Sequence, residues 1–220
     1  MARDKVRIRF KKTGDLRLVS HHDLMRCLER MLRRAELPFH SSEGFNPRPR
    51  LVFAMSLALG IAGSDEVAEL ELDDELPTEE IHRRLARQAP AGLEIVSVSR
   101  IPLKSKLLVR QVTFQLPLPT NRRHGLSDRI AALLAQNECW YERTRPEKRR
   151  FNLRPFLHDI RLLPDGLEMD LNVTPNGAAR PEEVLTLLGL DDLLREGAVL
   201  ERTRLELHDE HTQTRSVSEG

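Results

Sequence analysis

Along the first forty residues, the apolar positions change from a two-residue period to a helical one. In Val6-Arg7-Ile8-Arg9-Phe10 apolar and basic residues alternate, which predicts a half-buried β-strand. After a turn at Thr13-Gly14-Asp15, apolar residues recur at helical spacing at Leu24, Leu28, Met31, Leu32 and Ala35. Ser20 with Asp23 three residues later has the pattern of a helix N-cap, and Leu37-Pro38 ends the predicted helix.

The next fifty residues predict two further strands, a helix and a final strand. The apolar run of residues 51–59 is typical of a buried strand, and residues 67–72 alternate again. Pro77 opens a second amphipathic helix that closes before Gly92, and residues 93–98 form another strand. The resulting order, β-α-β-β-α-β, is that of the ferredoxin-like unit.

The second half predicts a looser copy of this order. Strands are expected at 108–116, 139–143, 151–162 (broken by Pro155), 167–173 and 199–207, with helices from the N-cap Ser127 to Leu134 and at 181–188. We therefore predict an α+β protein with two tandem ferredoxin-like units. The first spans 1–103, the second 104–208, and a polar tail at 209–220 is expected to be disordered.

Composition places the chain among folded, non-membrane proteins. Of the 220 residues, 40% are hydrophobic and 31% are charged, which favours a real core under a charged surface. No apolar run approaches the roughly 18 residues of a membrane span, and the N-terminus is charged from the start, so we expect a cytoplasmic protein. Cys27 and Cys139 stand alone, so the chain cannot supply three cysteines to an iron–sulfur cluster. We expect no metal site and no cofactor bound by this chain.

Charge is segregated along the sequence. Residues 1–50 carry 13 Lys/Arg and 6 Asp/Glu, whereas residues 61–90 carry 3 and 9. The alternation occurs a second time, with 13 and 4 in residues 95–155 and 6 and 14 in residues 159–220. These blocks either form separate charged surfaces or neutralise one another in the folded protein.

The most informative cluster lies between residues 20 and 50. A helix N-terminus and exposed arginines favour anions such as phosphate, and a loop stiffened by Gly44, Pro47 and Pro49 follows the helix. If the start of the helix and this loop meet, they form a positively charged recess. The candidate nucleic-acid or anion-binding residues are Ser20, His21, Arg26, Arg30, Arg33, Asn46, Arg48 and Arg50. Phe45 is a candidate for stacking on a base.

Each of these features also has a structural interpretation. The arginines can be the solvated face of an amphipathic helix, and His21 a partner in capping. His22 can be an ordinary surface residue. Phe45 can fill the core, and the glycine and prolines can simply shape a turn.

The same cluster carries a family resemblance. Lys5–Gly60 resembles the opening of an uncharacterised bacterial domain-of-unknown-function family that is encoded beside, or fused to, radical SAM proteins. The residues that match its motif are Ser20, His21, Asp23, Leu24, Arg33, Arg34, Ala35, Ser42, Gly44, Phe45, Asn46, Pro47 and Pro49. His22 and Glu43 depart from it, where an apolar residue and Gln are expected. The resemblance implies a partner, a radical SAM enzyme that uses an iron–sulfur cluster, S-adenosylmethionine and in some cases cobalamin.

Three functions follow as hypotheses. The first is a non-catalytic accessory protein of a radical SAM enzyme that binds or presents an RNA or another anionic substrate. The second is a metal-independent endoribonuclease, in which His21 or His22 removes the proton of a 2′-hydroxyl. The third is a structural adaptor that uses the acidic stretches 65–80 and 182–196. Motifs of common hydrolases, nucleotide-binding proteins and zinc proteases are missing from the sequence, which argues against an enzyme of those classes. The first hypothesis is preferred because of the family resemblance, the lack of any cluster motif and the basic surface of the helix and the loop.

Overall fold

The computed structural model describes residues 2–144 and 148–210. The chain divides into two units: the first comprises Met1–Leu108 with Leu207–Gly220, and the second comprises Val109–Glu206. Of the predicted tail at 209–220, Asp209 and Glu210 are described and the rest lies outside the described residues. Residues 145–147 of the charged segment after Arg143 are outside them as well.

The first unit is an antiparallel sheet covered by two helices. Its elements are β1 (Asp4–Lys12), α1 (His21–Arg34), β2 (Leu51–Phe53), β3 (Ala62–Leu72), α2 (Thr78–Gln88) and β4 (Leu93–Arg100). The strand order is β4-β1-β3-β2, and all three pairings are antiparallel. The buried faces of α1 and α2 pack on the sheet and share one apolar core with it.

The predicted alternation of β1 is confirmed, and it sorts side chains between two faces. Val6, Ile8 and Phe10 belong to the core, because successive side chains of a strand point to opposite sides. The other face carries Arg7, which is nonetheless buried. Its guanidinium donates to Glu69 at 2.7 Å and to Asp209 at 2.6 Å. The charged face of this strand is therefore closed by ion pairs within the first unit.

The second unit has its own sheet and a separate two-stranded ribbon. Its elements are β5 (Val109–Pro117), α3 (Leu126–Leu134), β6 (Trp140–Arg143), β7 (Arg149–Asn152), β8 (Leu157–Leu162), β9 (Gly166–Thr174), β10 (Gly177–Ala178), α4 (Pro181–Leu187), α5 (Asp192–Arg195) and β11 (Glu201–Leu207). The strand order is β8-β9-β5-β11, with β10 also on β9, while β6 and β7 pair with each other.

Two of the predicted elements are wrong in detail, and one is confirmed. The run 51–59 is a strand only at Leu51–Phe53, because the chain then turns and the Gly60 N–H donates to the Arg17 carbonyl. The third helix begins at Leu126 after Gly125, which takes a left-handed φ of 64° and replaces Ser127 as the cap. The break at Pro155 is confirmed, since a short 3-10 helix separates β7 from β8. The protein is thus a mixed α+β structure with mostly antiparallel strand pairing.

Candidate anion-binding surface

The start of α1 is capped by its own side chains. The Ser20 Oγ accepts the Asp23 N–H at 3.2 Å and donates to the Asp23 carboxylate at 2.7 Å. An Arg26 guanidinium nitrogen lies 3.5 Å from the same carboxylate. The positive end of the helix dipole therefore already faces a carboxylate. The start of the helix is thus less available to an external anion than the sequence predicted.

His21 lies against an aromatic ring at the edge of the core. Its ring meets that of Phe53 edge-on, with centroids 5.1 Å apart. Burial lowers the pKa of His21, and the neighbouring positive charges of His22 and Lys12 lower it further, against an opposing effect of Glu66. The surroundings of the imidazole therefore favour its neutral form.

Residues 41–50 form a loop, hereafter the 41–50 loop, whose two ends are joined by hydrogen bonds and whose tip is exposed. Ser41 and Pro49 form an isolated β-bridge, the Ser42 N–H donates to the Arg48 carbonyl at 2.8 Å, and the Arg48 N–H donates to the Ser42 Oγ at 3.1 Å. Phe45 stands at the tip with a relative exposure of 106%, so it is not a core residue. Its ring is free to stack on a ligand.

The loop meets the last turn of α1. The Arg33 Nη2 donates to the Pro47 carbonyl at 3.2 Å, and the Arg33 guanidinium lies 5.3 Å from the centre of the Phe39 ring. Arg33 follows His21 by twelve residues, which is about 18 Å along the helix axis. The structure thus divides the predicted residues into two groups, with Ser20 and His21 at one end of α1 and the loop at the other.

The arginines of the cluster differ in whether a carboxylate accompanies them. Arg26 pairs with Asp23, and Arg50 lies 3.3 Å from Glu71. Among the residues that the structure describes, no carboxylate pairs with the remaining exposed arginines of α1 and the loop, namely Arg30, Arg33, Arg34 and Arg48. Arg30, Arg33 and Arg48, with Phe45 and Asn46, are hereafter the arginine–loop surface. Glu43 is the acidic residue within its loop.

Much of the acidic charge of the sequence is neutralised inside each unit. Pairs are formed by Asp65 with Arg9, Glu69 with Lys5 and Arg7, Glu71 with Arg50, Glu80 with Arg83 and Arg84, Glu183 with Arg143, and Asp192 with Arg122. The acidic stretches are therefore poorer docking faces than their composition indicates, because many of their carboxylates already have partners.

Two interactions escaped prediction because their residues are distant in sequence. The His40 Nδ1 lies 2.6 Å from the Asp73 Oδ1 at the base of the 41–50 loop, where the His40 N–H also donates to the Glu71 carbonyl. Arginines at 83, 84 and 87 on α2 face the end of α1. Of these contacts, only the spacing of Glu80 with Arg83 and Arg84, three and four residues later, was visible in the sequence.

The neutral state of His21 makes stability depend on pH. Because the folded pKa is below the unfolded value of 6.5, the unfolded state binds more protons below about pH 6.5 and stability falls there. We expect wild type to lose more unfolding free energy than His21→Asn between pH 7.5 and 5.5, measured by urea denaturation. The difference in unfolding free energy between the two proteins at pH 7.5 reports the change in packing on Phe53. Equal losses in both proteins would contradict the expectation.

None of the helices described here is long and apolar enough to cross a membrane. The sequence profile of a family described as "uncharacterized protein conserved in bacteria (DUF2344)" matches residues 5–181. No curated protein matches the chain. Among solved structures, an unknown protein from Galdieria sulphuraria is similar at 13% identity over 93% of this chain and 98% of that one, with a TM-score of 0.27.

Proposed function

Since the chain belongs to the family of uncharacterized proteins conserved in bacteria (DUF2344), we propose that it is a non-catalytic accessory protein that binds an RNA segment, or another anionic substrate, for a partner enzyme. The arginine–loop surface carries the binding part of this proposal. Three exposed arginines, Arg30, Arg33 and Arg48, lie toward the end of α1 and in the loop that Arg33 holds there, and none of them has a carboxylate partner among the residues that the structure describes. The proposed setting is the bacterial cytoplasm.

The charge and the aromatic ring act on different parts of such a ligand. Arginine guanidinium groups bind phosphate oxygens, and such contacts do not distinguish one base sequence from another. The affinity that they give decreases as the salt concentration rises. The exposed Phe45 offers a stacking surface of the kind that single-stranded nucleic acids use, worth about 1–3 kcal/mol per base. The combination favours a single-stranded RNA over a compact anion.

The proposal extends to the fold and to the partner. The strand orders β4-β1-β3-β2 and β11-β5-β9-β8 both have the sequence of pairings expected of a ferredoxin-like unit, so we propose a tandem of two such units. The partner is proposed to be a radical SAM enzyme that brings its own iron–sulfur cluster, S-adenosylmethionine and in some cases cobalamin. The proposed partner is supported by the motif resemblance alone.

RNA binding is tested with a fluorescein-labelled twelve-nucleotide oligouridine and fluorescence anisotropy. We expect Arg30→Ala, Arg33→Ala and Arg48→Ala together to abolish most binding. The slope of log affinity against log salt should fall by about 2, because each phosphate contact to a single strand contributes about 0.7.

A charge-conserving variant controls for the loss of charge. With lysine at the same three positions the salt slope should be retained. Phe45→Ala should weaken binding about 5-fold or more without changing that slope, because it removes stacking only. Unchanged affinity in the alanine triple variant would refute RNA binding at this surface.

A second candidate function is supported by the neutral state of His21. An endoribonuclease without a metal needs a neutral base beside the 2′-hydroxyl. His21 is a candidate for it, because it lies half-buried against Phe53 and burial lowers its pKa. The test is incubation of the labelled RNA with the protein in EDTA, followed by gel electrophoresis. Intact RNA after prolonged incubation rejects the nuclease, while cleavage that His21→Asn abolishes would replace the non-catalytic proposal.

A further inference from the structure

A polar groove of about 300 Å³ lies in the first unit between the end of α1 and one face of α2. Its lining residues are Arg34, Ala35, Glu36, Glu80, Arg83, Arg84, Arg87 and Gln88. The α2 residues follow the spacing i, i+3, i+4, i+7, i+8, which places them on one stripe of the helix. Four of the eight lining residues are arginines and two are glutamates.

Glu80, the first residue of this stripe, holds two of the arginines in position. The Glu80 carboxylate accepts from Arg83 at 2.7 Å and from Arg84 at 2.6 Å. These hydrogen bonds lower the pKa of Glu80, so the carboxylate stays ionised at neutral pH. Arg84 also donates to the Glu36 carbonyl at 3.1 Å. The guanidinium groups are thus fixed before a ligand arrives, which reduces the ordering cost of binding.

The positive charges of the other two arginines are not balanced by an ion pair among the described residues. Within the part of the chain that the structure describes, neither Arg34 nor Arg87 pairs with a carboxylate, and both are exposed. Counting all six charged lining residues, positive charge exceeds negative charge. A groove with this excess favours an anion with several oxygen acceptors, because arginine presents a planar fork of donors that matches phosphate.

The groove is next to the arginine–loop surface. Arg33 donates to the Pro47 carbonyl of the loop, while Arg34, the following residue, lines the groove. Consecutive helix residues point about 100° apart, so the last turn of α1 presents one arginine to each site. We propose that the groove binds the phosphodiester backbone of a single-stranded RNA whose neighbouring nucleotides lie on the arginine–loop surface.

This inference rests on the proposed RNA binding and adds to it a longer binding site with a second set of phosphate contacts. It is tested with labelled oligouridines of four and twelve nucleotides and the double variant Arg34→Ala and Arg87→Ala. For the longer RNA the slope of log affinity against log salt should fall by about 1.4, since two contacts at about 0.7 each are lost. The affinity for the shorter RNA should change by less than a factor of two.

The matched control is the double variant Lys104→Ala and Lys106→Ala, which removes two exposed positive charges of the same unit outside the groove. It should leave the slope for the longer RNA unchanged. If wild type binds the longer RNA and the groove variant keeps the wild-type slope, the groove is not part of the site while RNA binding stands. An equal loss for both RNA lengths also overturns the longer site. If wild type binds neither RNA, both proposals fail.

Discussion

Replacing Arg143 with alanine should lower the free energy of unfolding by about 3–5 kcal/mol, because it leaves a buried carboxylate without its ionic partner. The Arg143 guanidinium donates to Glu183 at 2.6 and 2.8 Å and to the Ala178 carbonyl at 2.9 Å. It also lies 3.7 Å from the centre of the Phe151 ring. The side chains of Arg143 and Glu183 are only 7% and 5% exposed, so little solvent reaches the pair in the folded protein.

Urea denaturation measures this loss, and Arg149→Ala is the matched control. Arg149 is exposed and lies 5.5 Å from the centre of the same ring, so its removal should cost no more than about 1 kcal/mol. Replacing both partners, Arg143→Met with Glu183→Leu, should recover much of the stability, because an apolar pair carries no unsatisfied charge. Equal losses for Arg143→Ala and Arg149→Ala would show that the ion pair contributes little.

Replacing Arg7 with alanine should cost about 3 kcal/mol, the lower end of the range for a broken buried pair. Arg7 joins β1 to Glu69 on β3 and to Asp209 after the last strand. Glu69 keeps a second partner in the variant, since the Lys5 Nζ lies 2.6 Å from its other oxygen. This remaining contact limits the destabilisation.

The control for Arg7 is on the same face of the same strand. Lys11 pairs with Glu94, but the two side chains are 38% and 63% exposed, and such surface pairs contribute about 0.2–1 kcal/mol. Thermal and urea unfolding of Arg7→Ala and Lys11→Ala should therefore differ severalfold in their effect. A loss of less than about 1 kcal/mol for Arg7→Ala would show that the network is not a significant source of stability.

Features set by neighbouring residues were predictable from the sequence. The alternation of β1 and the Ser20–Asp23 cap each depend on residues within a few positions, and both were predicted correctly. Residues 51–59 were not, because an apolar run by itself does not show whether a segment is a buried strand, and within this run only Leu57 is buried. The loop closing at Gly60 is set by a hydrogen bond to Arg17, more than forty residues away.

The candidate site was predictable in its composition and not in its geometry. The sequence identifies exposed arginines and a loop rich in proline, but it cannot say which end of α1 the loop contacts. That depends on the Arg33–Pro47 hydrogen bond and on the placement of the loop base beside β3. The charge blocks of the sequence were equally ambiguous, since the partners of Glu69 and Glu71 come from β1 and the loop.

The hydrogen bond from Arg33 to the Pro47 carbonyl also has a consequence for the thermodynamics of recognition. Together with the Ser41–Pro49 bridge, it restrains the loop before any ligand is present, so the conformational entropy of this segment is lost on folding. A ligand that arrives there meets a preorganised surface, and more of the contact energy appears as affinity. Association at this loop should then resemble docking onto a rigid body more than coupled folding.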